Sequence, residues 1–410
     1  MSFAWRPQLV SWASVLLVGC SNAEPERHQQ DAGLDGSQPS EARHLAHNII
    51  VFMGDGMGAE QIAAARFVAG GQLAMDALAG PALAITDSLT TLHNSGPDAL
   101  ATDSAAAATW IATGVRVEND VLSIAPDGTS LETVLELCKR AGKATGLVTT
   151  STFFDASPAA FTAHQLSRSL SPDIAREMLT ATQPDVIMGA GDWLFDDAQH
   201  ELSAAATQGN YALVRGAGAL AAWDAKSQRR MLGLFATDFS PQFVAPEPFT
   251  MTPALERTEA SPDPSLLTMT QRAIERLARD PDGFFLFAED EITDEIGHSA
   301  PADVAWANRA LPAEVAAIDA AVAYAIAWTQ SHSSFDETLI VVLADHETGG
   351  YRFDHQAGPA SGEFSAHDGT SGLHTRTPIE VRARGPGSEA IEQIVSHGDT
   401  HRLLVGTLRR

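Results

Sequence analysis

Short apolar runs that end in acidic residues or histidines constrain the fold of this chain more than any other feature. Each run has the length and composition of a buried strand, and side chains able to bind a metal follow at once. The runs and the residues at their ends are 48–53 with Asp55, 284–288 with Glu289, and 339–344 with Asp345 and His346. Buried strands that end in such residues indicate an α/β enzyme with its site at the carboxyl edge of the sheet.

The rest of the chain alternates apolar runs with helical patterns, which is typical of a doubly wound, mostly parallel sheet flanked by helices. The sequence therefore predicts an α/β fold, without an internal repeat and without a membrane span in its interior. Residues 192–264 show only weak patterns between clusters of Pro, Asp and Gly. The predicted strands are 48–53, 144–149, 185–189, 284–289, 338–344 and 378–383, and the predicted helices include 59–69, 104–112, 131–141, 172–180, 265–279 and 313–331.

The formal net charge of −26 over 410 residues argues against nucleic acid as a partner. A nucleic-acid-binding protein needs a basic patch that neutralises phosphates, and the sequence offers none. An acidic surface also repels anions at long range. An anionic substrate would therefore need a local cationic site, which bound metal ions could provide.

The N-terminus is predicted to be a targeting segment rather than part of the fold. Arg6 precedes a short apolar run over 9–18, which is too brief to span a bilayer as a stable helix. Residues 17–20, Leu-Val-Gly-Cys, resemble the cleavage site of bacterial lipoproteins, which predicts a signal peptide over 1–20 with a lipidated Cys20. The alternative is an ordinary secretory signal with an incidental cysteine.

Residues 21–43 are polar and lack periodicity, as expected for a disordered tether to a folded domain over 44–410. We therefore expect a periplasmic or cell-surface protein anchored by lipid to a bacterial membrane, with Ser21 favouring the outer membrane. If Cys20 is lipidated, Cys138 has no intrachain disulfide partner. Its helical pattern predicts a buried thiol.

A serine at the predicted start of one helix is the candidate nucleophile. Ser104 follows Asp103 and precedes the alanine run 105–108. A serine at a helix N-terminus is commonly an N-cap, and for Ser104 taken alone that interpretation is the simpler one. Segments elsewhere in the chain supply Asp, Glu and His, and their presence favours the interpretation of Ser104 as a nucleophile.

In these segments the chain resembles the alkaline phosphatases, from about His47 to Pro386 and with the family's order and spacings. The resemblance implies the fold of that family and hydrolysis of small phosphate monoesters through a phosphoserine at Ser104, which makes 44–410 the catalytic domain. The motifs that carry it are Gly54-Asp55-Gly56-Met57-Gly58, Thr102-Asp103-Ser104-Ala105-Ala106, Glu289…Asp294…His298, and Ala344-Asp345-His346-Glu347-Thr348-Gly349-Gly350.

The resemblance also implies three metal sites and a phosphate-binding arginine. Two Zn²⁺ ions about 4 Å apart would bind the attacking and leaving oxygens of the ester. Zinc suits imidazole with carboxylate, whereas an all-oxygen site suits one Mg²⁺. The implied residues are Asp294, His298 and His374 for the first zinc site, Asp55, Asp345 and His346 with Ser104 for the second, Asp55, Ser157 and Glu289 for the magnesium site, and Arg168 for the phosphate.

Several of these residues also have a simpler interpretation. Asp294 and His298, four residues apart, could form one solvated face of a helix. Ser157 could cap a helix that starts at the following proline. Arg168 could be an ordinary surface arginine, and His164 in the same segment is predicted to be a packed histidine rather than a ligand.

Acidic residues near the expected phosphate position depart from the family pattern. Glu295 stands where relatives often have Lys, His or Trp, and Asp155, its partner in some relatives, is acidic as well. Asp290 and Glu291 add further negative charge. If Glu295 and Asp155 reach the substrate they would oppose binding of a phosphate dianion, unless they are protonated, turned away or bound to a cation.

Other functions remain open at this point. The wider superfamily contains phosphodiesterases and nucleotide pyrophosphatases, but Glu289 and Arg168 favour monoesters. A metal-binding surface lipoprotein without catalytic activity is a third possibility, which the intact set of ligands argues against. A homodimer is possible, although the short segment between His346 and His374 leaves no room for the crown insert that some relatives use in dimer contacts.

Overall fold

A mixed sheet of nine strands forms the centre of the computed structural model, which describes residues 45–90, 101–195, 201–235, 254, 263–364 and 373–408. These residues belong to one compact unit. The predicted signal peptide, Cys20 and the tether lie outside the described residues.

Strands and helices alternate along most of the described chain. The strands are β1 Asn48–Gly54, β2 Ala79–Ala84, β3 Ala144–Thr152, β4 Val186–Ala190, β5 Tyr211–Arg215, β6 Arg230–Phe235, β7 Phe284–Asp290, β8 Thr338–Ala344, β9 Glu347–Thr348, β10 Tyr351–Arg352, β11 Glu363–Phe364, β12 His374–Thr375 and β13 Ile379–Arg384. The α-helices are α1 Ala59–Val68, α2 Ser104–Thr113, α3 Val134–Arg140, α4 Ala156–Ala160, α5 Ser171–Glu177, α6 Leu202–Gln208, α7 Gly216–Ala222, α8 Leu266–Leu277, α9 Ile292–Ser299, α10 Val304–His332 and α11 His397–Gly406.

The strand order of the large sheet is β2-β13-β8-β1-β7-β3-β4-β6-β5. The seven strands from β8 to β5 run parallel, whereas β13 pairs antiparallel with both β8 and β2. The predicted doubly wound, mostly parallel sheet is therefore confirmed. Two small antiparallel pairs, β9 with β12 and β10 with β11, lie outside it.

Strands β1, β3, β7 and β8 are buried along their whole length. A parallel strand buried in this way needs cover on both faces of the sheet, which explains the continuous apolar runs in the sequence. Two groups of helices provide the cover: α1, α8, α9 and α10 pack together, as do α2, α3, α4 and α11. Because the helices cover the two faces of the sheet, its polar side chains collect at the carboxyl edge.

The six predicted strands all occur, with ends that differ by at most three residues. The sheet also contains β2, β5 and β6, which were not predicted. The predicted helix 313–331 begins earlier, at Val304, and runs through Pro312. A proline inside a helix usually ends or kinks it, but Leu311 and Val315 on either side are fully buried, so tertiary packing outweighs the local preference.

Helix α10 is the one helix among the described residues whose length and mean hydropathy would suffice for a membrane span. Half of its most apolar stretch is buried inside the protein, as in the core helix of a globular domain. It packs against α1, α8 and α9 and against strands of the sheet. Its apolar character is therefore explained by its place in the core.

Two predictions about single side chains are confirmed. Cys138 lies in α3, is fully buried, and burial raises the pKa of its thiol to about 12. His164 is packed between two helices: its Nδ1 lies 3.1 Å from Glu177 of α5, and its Nε2 lies 3.6 Å from Glu136 of α3. Its hydrogen bonds with Glu136 and Glu177 raise the pKa of His164 to about 10.

We predict that His164→Leu destabilises the protein in a pH-dependent manner. The folded-state pKa of about 10 lies above the ordinary value of 6.5, so the contribution is complete below pH 6.5 and is lost as the pH rises through about 10. At low pH we expect a loss of about 1.5–3 kcal/mol, the value for hydrogen bonds to charged groups. Denaturant unfolding of both proteins across this range measures it, with His355→Leu, whose side chain is 67% exposed, as the control. A difference that does not depend on pH would contradict the prediction.

Candidate active site and metal centre

The polar side chains at the carboxyl edge of the sheet come from four neighbouring strands, β8, β1, β7 and β3. Asp55 follows β1, Glu289 lies at the end of β7, and Asp345 follows β8. The parallel register pairs Gly54 with both Ala344 and Asp290, which brings these strand ends level with one another. Residues far apart in the sequence therefore meet in one buried site.

The first cluster consists of Asp294, His298 and His374. Asp294 and His298 lie one turn apart on α9, and the Nε2 of His298 is 3.0 Å from an Asp294 oxygen. His374, on β12, places its Nε2 3.1 Å from that of His298 and 3.6 Å from Asp294. The three predicted ligands of the first zinc site are thus brought together. Because Asp294 is only 4% exposed, the interpretation of this helix as a solvated face is wrong.

The second cluster consists of Asp55, Asp345, His346 and Ser104, all of them buried. The Nε2 of His346 lies 3.0 Å from Asp345, 3.4 Å from the Oγ of Ser104 and 3.5 Å from Asp55. One imidazole nitrogen therefore faces the other three members of the predicted second site. The His346 ring also stacks on that of His374, with the ring centroids 3.6 Å apart, so the first two clusters adjoin.

The third cluster consists of Asp55, Glu289, Glu291 and Ser157. Carboxylate oxygens of Asp55, Glu289 and Glu291 all lie within 4.8 Å of one another. One oxygen of Glu289 accepts a hydrogen bond of 2.7 Å from Thr149. Asp55 belongs to both the second and the third cluster, which places the two next to each other.

The carboxyl groups of these clusters are strongly affected by burial. Desolvation, reinforced by the charge of Asp345, raises the pKa of Asp55 well above its ordinary value. Burial likewise raises the pKa of Asp345 to about 7 and that of Glu289 to about 8. The pKa of Glu291 is raised in the same way, first by burial and then by the negative charge of Asp155. The protein therefore concentrates carboxyls at a place where, among the described residues, Asp55, Glu289 and Glu291 form no ion pair with Lys or Arg.

The pKa values of the buried histidines are shifted in the opposite direction, downward. Burial lowers the pKa of both His346 and His374, which favours neutral imidazoles with a free nitrogen lone pair. Asp294 differs from the other acids. Burial is the largest single influence and opposes its ionisation, but His298, His374 and His346 together outweigh it and hold the pKa of Asp294 below its ordinary value.

The three clusters fit metal ions by geometry and by chemistry. Ligand atoms that share a tetrahedral zinc at about 2.0–2.1 Å lie about 3.3 Å from one another. The distances in the first two clusters, 3.0 to 3.6 Å, agree with that value. In the third cluster, buried oxygens of Asp55, Glu289 and Ser157 have no hydrogen-bond partner within the part of the chain that the structure describes. An oxygen-binding cation would satisfy them.

Neighbouring groups hold the ligands in position. The Nδ1 of His374 donates to the carbonyl oxygen of Thr102 at 2.8 Å, which leaves Nε2 toward the first cluster. The Thr348 hydroxyl donates to Asp294, and His397 hydrogen-bonds through Nε2 to the carbonyl oxygen of Asp345 at 2.6 Å. Such outer contacts orient metal ligands. These groups were not predicted, because only tertiary structure brings them to the ligands.

Neither candidate serine is the N-cap of its helix. Asp103 caps α2 by accepting from the backbone N–H of Ala106, so Ser104 is the first helical residue and its hydroxyl is not used in capping. Asp155 caps α4, and Ser157 is the second residue of that helix. The simpler interpretation of each serine as a cap is therefore wrong. The carboxylates that precede them perform that role.

Arg168 lies beside the site and is held by two carboxylates. Its Nη2 donates to Asp155 at 2.8 Å, and its Nη1 lies 3.7 Å from Asp103. The side chain is 26% exposed, so the guanidinium is still accessible from outside. Because these contacts tie it to the helix that carries Ser104, Arg168 is not an ordinary surface arginine.

The two acidic residues that depart from the family pattern have different environments. Asp155 accepts from the Arg168 guanidinium, the Ser151 hydroxyl and the backbone N–H of Ala156. It is thus bound to a cation, one of the conditions under which it would not repel a phosphate. Glu295 is only 2% exposed on α9, so its side chain is not turned away from the protein into solvent.

Comparison with known proteins places the chain among the alkaline phosphatases. The family model for alkaline phosphatase matches residues 46–380. The chain is 32% identical to alkaline phosphatase 3 of Bacillus subtilis over 87% of its own length and 70% of that protein. It is 31% identical to the streptomycin-6-phosphate phosphatase of Streptomyces griseus, over 95% and 94% of the two lengths.

Solved structures agree with the assignment. The alkaline phosphatase of the Antarctic bacterium TAB5 matches with a TM-score of 0.71 and 25% identity, over 90% of this chain and all of that one. The Thermus thermophilus alkaline phosphatase shares the fold, with a TM-score of 0.69 and 23% identity over 92% and 96% of the two chains. The matched region contains all three clusters and Ser104. The chain therefore belongs to the alkaline phosphatase family and is a hydrolase of phosphate monoesters.

Proposed function

We propose that the hydrolysis proceeds through a covalent phosphoserine at Ser104. The observation that carries this is the position of its Oγ, which lies 3.4 Å from His346 Nε2, the same nitrogen that lies 3.0 Å from Asp345 and 3.5 Å from Asp55. A hydroxyl in such a position is readily deprotonated and can act as a nucleophile.

The reaction has two steps, formation of the phosphoserine and its hydrolysis. Ser104 Oγ attacks phosphorus, the bond from phosphorus to the ester oxygen breaks, and the alcohol leaves with the proton given up by the serine. Water then attacks phosphorus, the bond to Oγ breaks, and inorganic phosphate departs while Ser104 regains a proton. The buried, rigid start of α2 holds Oγ in place for both steps.

Arg168 would bind two nonbridging oxygens of the phosphate through its planar guanidinium. Asp103 and Asp155 hold that group from the side, which fixes its orientation before the substrate arrives. A phosphate monoester offers one more terminal oxygen and one more negative charge than a diester. This arrangement therefore favours monoesters over the diester substrates of the alternative hypothesis.

For the metals we propose two Zn²⁺, one each in the first and second clusters, and one Mg²⁺ in the third. Histidine with carboxylate suits zinc, whereas a set of oxygens suits magnesium. A variant of the TAB5 enzyme, in which a histidine is replaced by aspartate, was solved with Mg bound in its M3 site. When bound, the zinc ions would supply Lewis-acid stabilisation of the attacking and leaving oxygens.

We also propose that the enzyme is a lipoprotein on the periplasmic or cell-surface side of a bacterial membrane. The proposal is based on the Leu-Val-Gly-Cys sequence at 17–20 and the polar segment that follows it. A lipid-anchored phosphatase would release phosphate from small esters outside the cytoplasm.

Ser104→Ala is expected to abolish the covalent intermediate and to lower kcat for p-nitrophenyl phosphate by about 10³-fold or more. Brief reaction with labelled phosphate, an acid quench and peptide mapping should locate the label on Ser104 of the wild-type protein. An unchanged melting temperature of the variant controls for misfolding. Label on another residue would refute the assignment of the nucleophile.

Arg168→Ala is expected to lower kcat/KM for p-nitrophenyl phosphate by about 10- to 100-fold, the equivalent of losing a hydrogen bond to a charged group. The loss should be smaller with bis-p-nitrophenyl phosphate, and the wild-type protein should strongly prefer the monoester. Arg176→Ala is the control, because Arg176 pairs with Asp173 on the surface of α5. A wild-type efficiency for the diester equal to that for the monoester would support the phosphodiesterase hypothesis instead.

Cys20→Ala is expected to leave the protein soluble or unprocessed, because the variant lacks the thiol at position 20 to which the lipid would be attached. Mass spectrometry of the wild-type N-terminus and labelling of cells with palmitate test this. Cys138→Ala should incorporate label like the wild type, since the Cys138 thiol is buried in α3. A mature N-terminus downstream of Cys20 would rule out lipidation.

A further inference from the structure

We infer that Glu291 is an additional protein ligand of the cation in the third cluster, so that three carboxylates bind it. The inference rests on the third cation of the proposed function and goes beyond it, since the family resemblance assigns only Asp55, Ser157 and Glu289 to that site. Oxygens of Asp55, Glu289 and Glu291 lie within 4.8 Å of one another, which is close enough to share one ion.

The local structure directs Glu291 into the site. The residue lies between the end of β7 and the start of α9, and its side chain is buried, with 6% of the residue exposed. Its backbone N–H donates to the Thr150 hydroxyl at 3.0 Å, and its carbonyl oxygen accepts from the N–H of Asp294. These bonds fix the backbone, so the carboxylate does not depend on a mobile loop.

A second observation indicates that a ligand belongs here. The Ser157 hydroxyl is 1% exposed and, among the described residues, has no hydrogen-bond partner of normal geometry, although it lies close to Glu289. One oxygen of Glu289 and both oxygens of Asp55 are fully buried and likewise lack partners there. Buried polar atoms rarely remain unsatisfied, and carboxylate oxygens of Asp55, Glu289 and Glu291 lie close enough together to share one ion.

Among the described residues, no Lys or Arg side chain forms an ion pair with Glu291. The Arg168 guanidinium is near Glu291, but its ion pairs within 4 Å are with Asp155 and Asp103. Three buried carboxylates would repel one another without a balancing charge. A divalent cation that prefers oxygen ligands, such as Mg²⁺ or Mn²⁺, supplies it, and the added carboxylate should strengthen binding because affinity rises with the charge of the ligand set.

The test uses the full-length protein loaded with zinc and stripped of other metals. Calorimetric titration with MgCl₂, and with MnCl₂ followed by electron paramagnetic resonance, should show one site in the wild type. In E291Q, which keeps the shape but removes the charge, the affinity of that site should fall by about tenfold or more. E295Q is the matched control, because Glu295 is equally buried on α9 but lies outside the third cluster; its cation affinity should equal that of the wild type.

Melting temperature gives a readout that general damage to the fold would not produce. Before Mg²⁺ is added, E291Q should melt above the wild type, because one of the mutually repelling carboxylates is gone. The rise on addition of MgCl₂ should be smaller for E291Q than for the wild type. A variant that melts lower in both conditions, or that binds both ions as tightly as the wild type, would overturn the role of Glu291.

The outcomes separate this inference from the proposed function. If the wild type binds a third cation and E291Q binds it equally well, Glu291 is not a ligand and the third site stands. If the wild type binds no third cation, both the third site and the role of Glu291 fail. The phosphoserine at Ser104 is decided separately, by the labelling experiment.

Discussion

Mutual repulsion among buried carboxylates is the constraint on which the rest of this structure depends. Asp55, Glu289, Glu291, Asp294 and Asp345 are each at most 6% exposed. Two charges 4.8 Å apart repel by about 3–4 kcal/mol at an effective dielectric of 20. Several such pairs rival the whole stability of a domain, about 5–15 kcal/mol. The strands that carry these groups can pack as they do only if protons or cations compensate this repulsion, so we expect a bound cation to stabilise the folded protein.

Much of the fold and most of the site could be predicted from the sequence, because a fully buried parallel strand leaves a continuous apolar run. The runs before Asp55, Glu289 and Asp345 are of this kind, and parallel strands bring their ends to one edge. Strand β5 at one edge of the sheet and its neighbour β6 are not predicted, because their surroundings are rich in Pro, Asp and Gly and their pairing depends on contacts distant in sequence. The predicted start of helix α10, at residue 313, is too late because a proline such as Pro312 is typical of a helix start. Only the buried neighbours of Pro312 show that the helix continues through it.

The side chains that were missed in the site share one property: their role depends on tertiary neighbours. Glu291 was recognised as acidic, but its approach to Asp55 follows from the junction of β7 and α9. The helix caps show the same limit. Asp103 and Ser104 are adjacent, and either could cap a helix by type; the structure uses the carboxylate. That choice leaves the hydroxyl of Ser104 facing His346.

Asp155 shows why an acidic residue beside a phosphate site does not have to oppose the substrate. Its carboxylate accepts hydrogen bonds from three donors, namely the Arg168 guanidinium, the Ser151 hydroxyl and the Ala156 N–H. The negative charge of Asp155 is therefore balanced before a substrate arrives. The positive charge of Arg168 is balanced as well, because Asp103 lies on the other side of the guanidinium. Arg168 then contributes the geometry of its donors more than a net attraction. In a protein with a net charge of −26, we expect the attraction for a dianion to come from the cations that we propose for the three clusters.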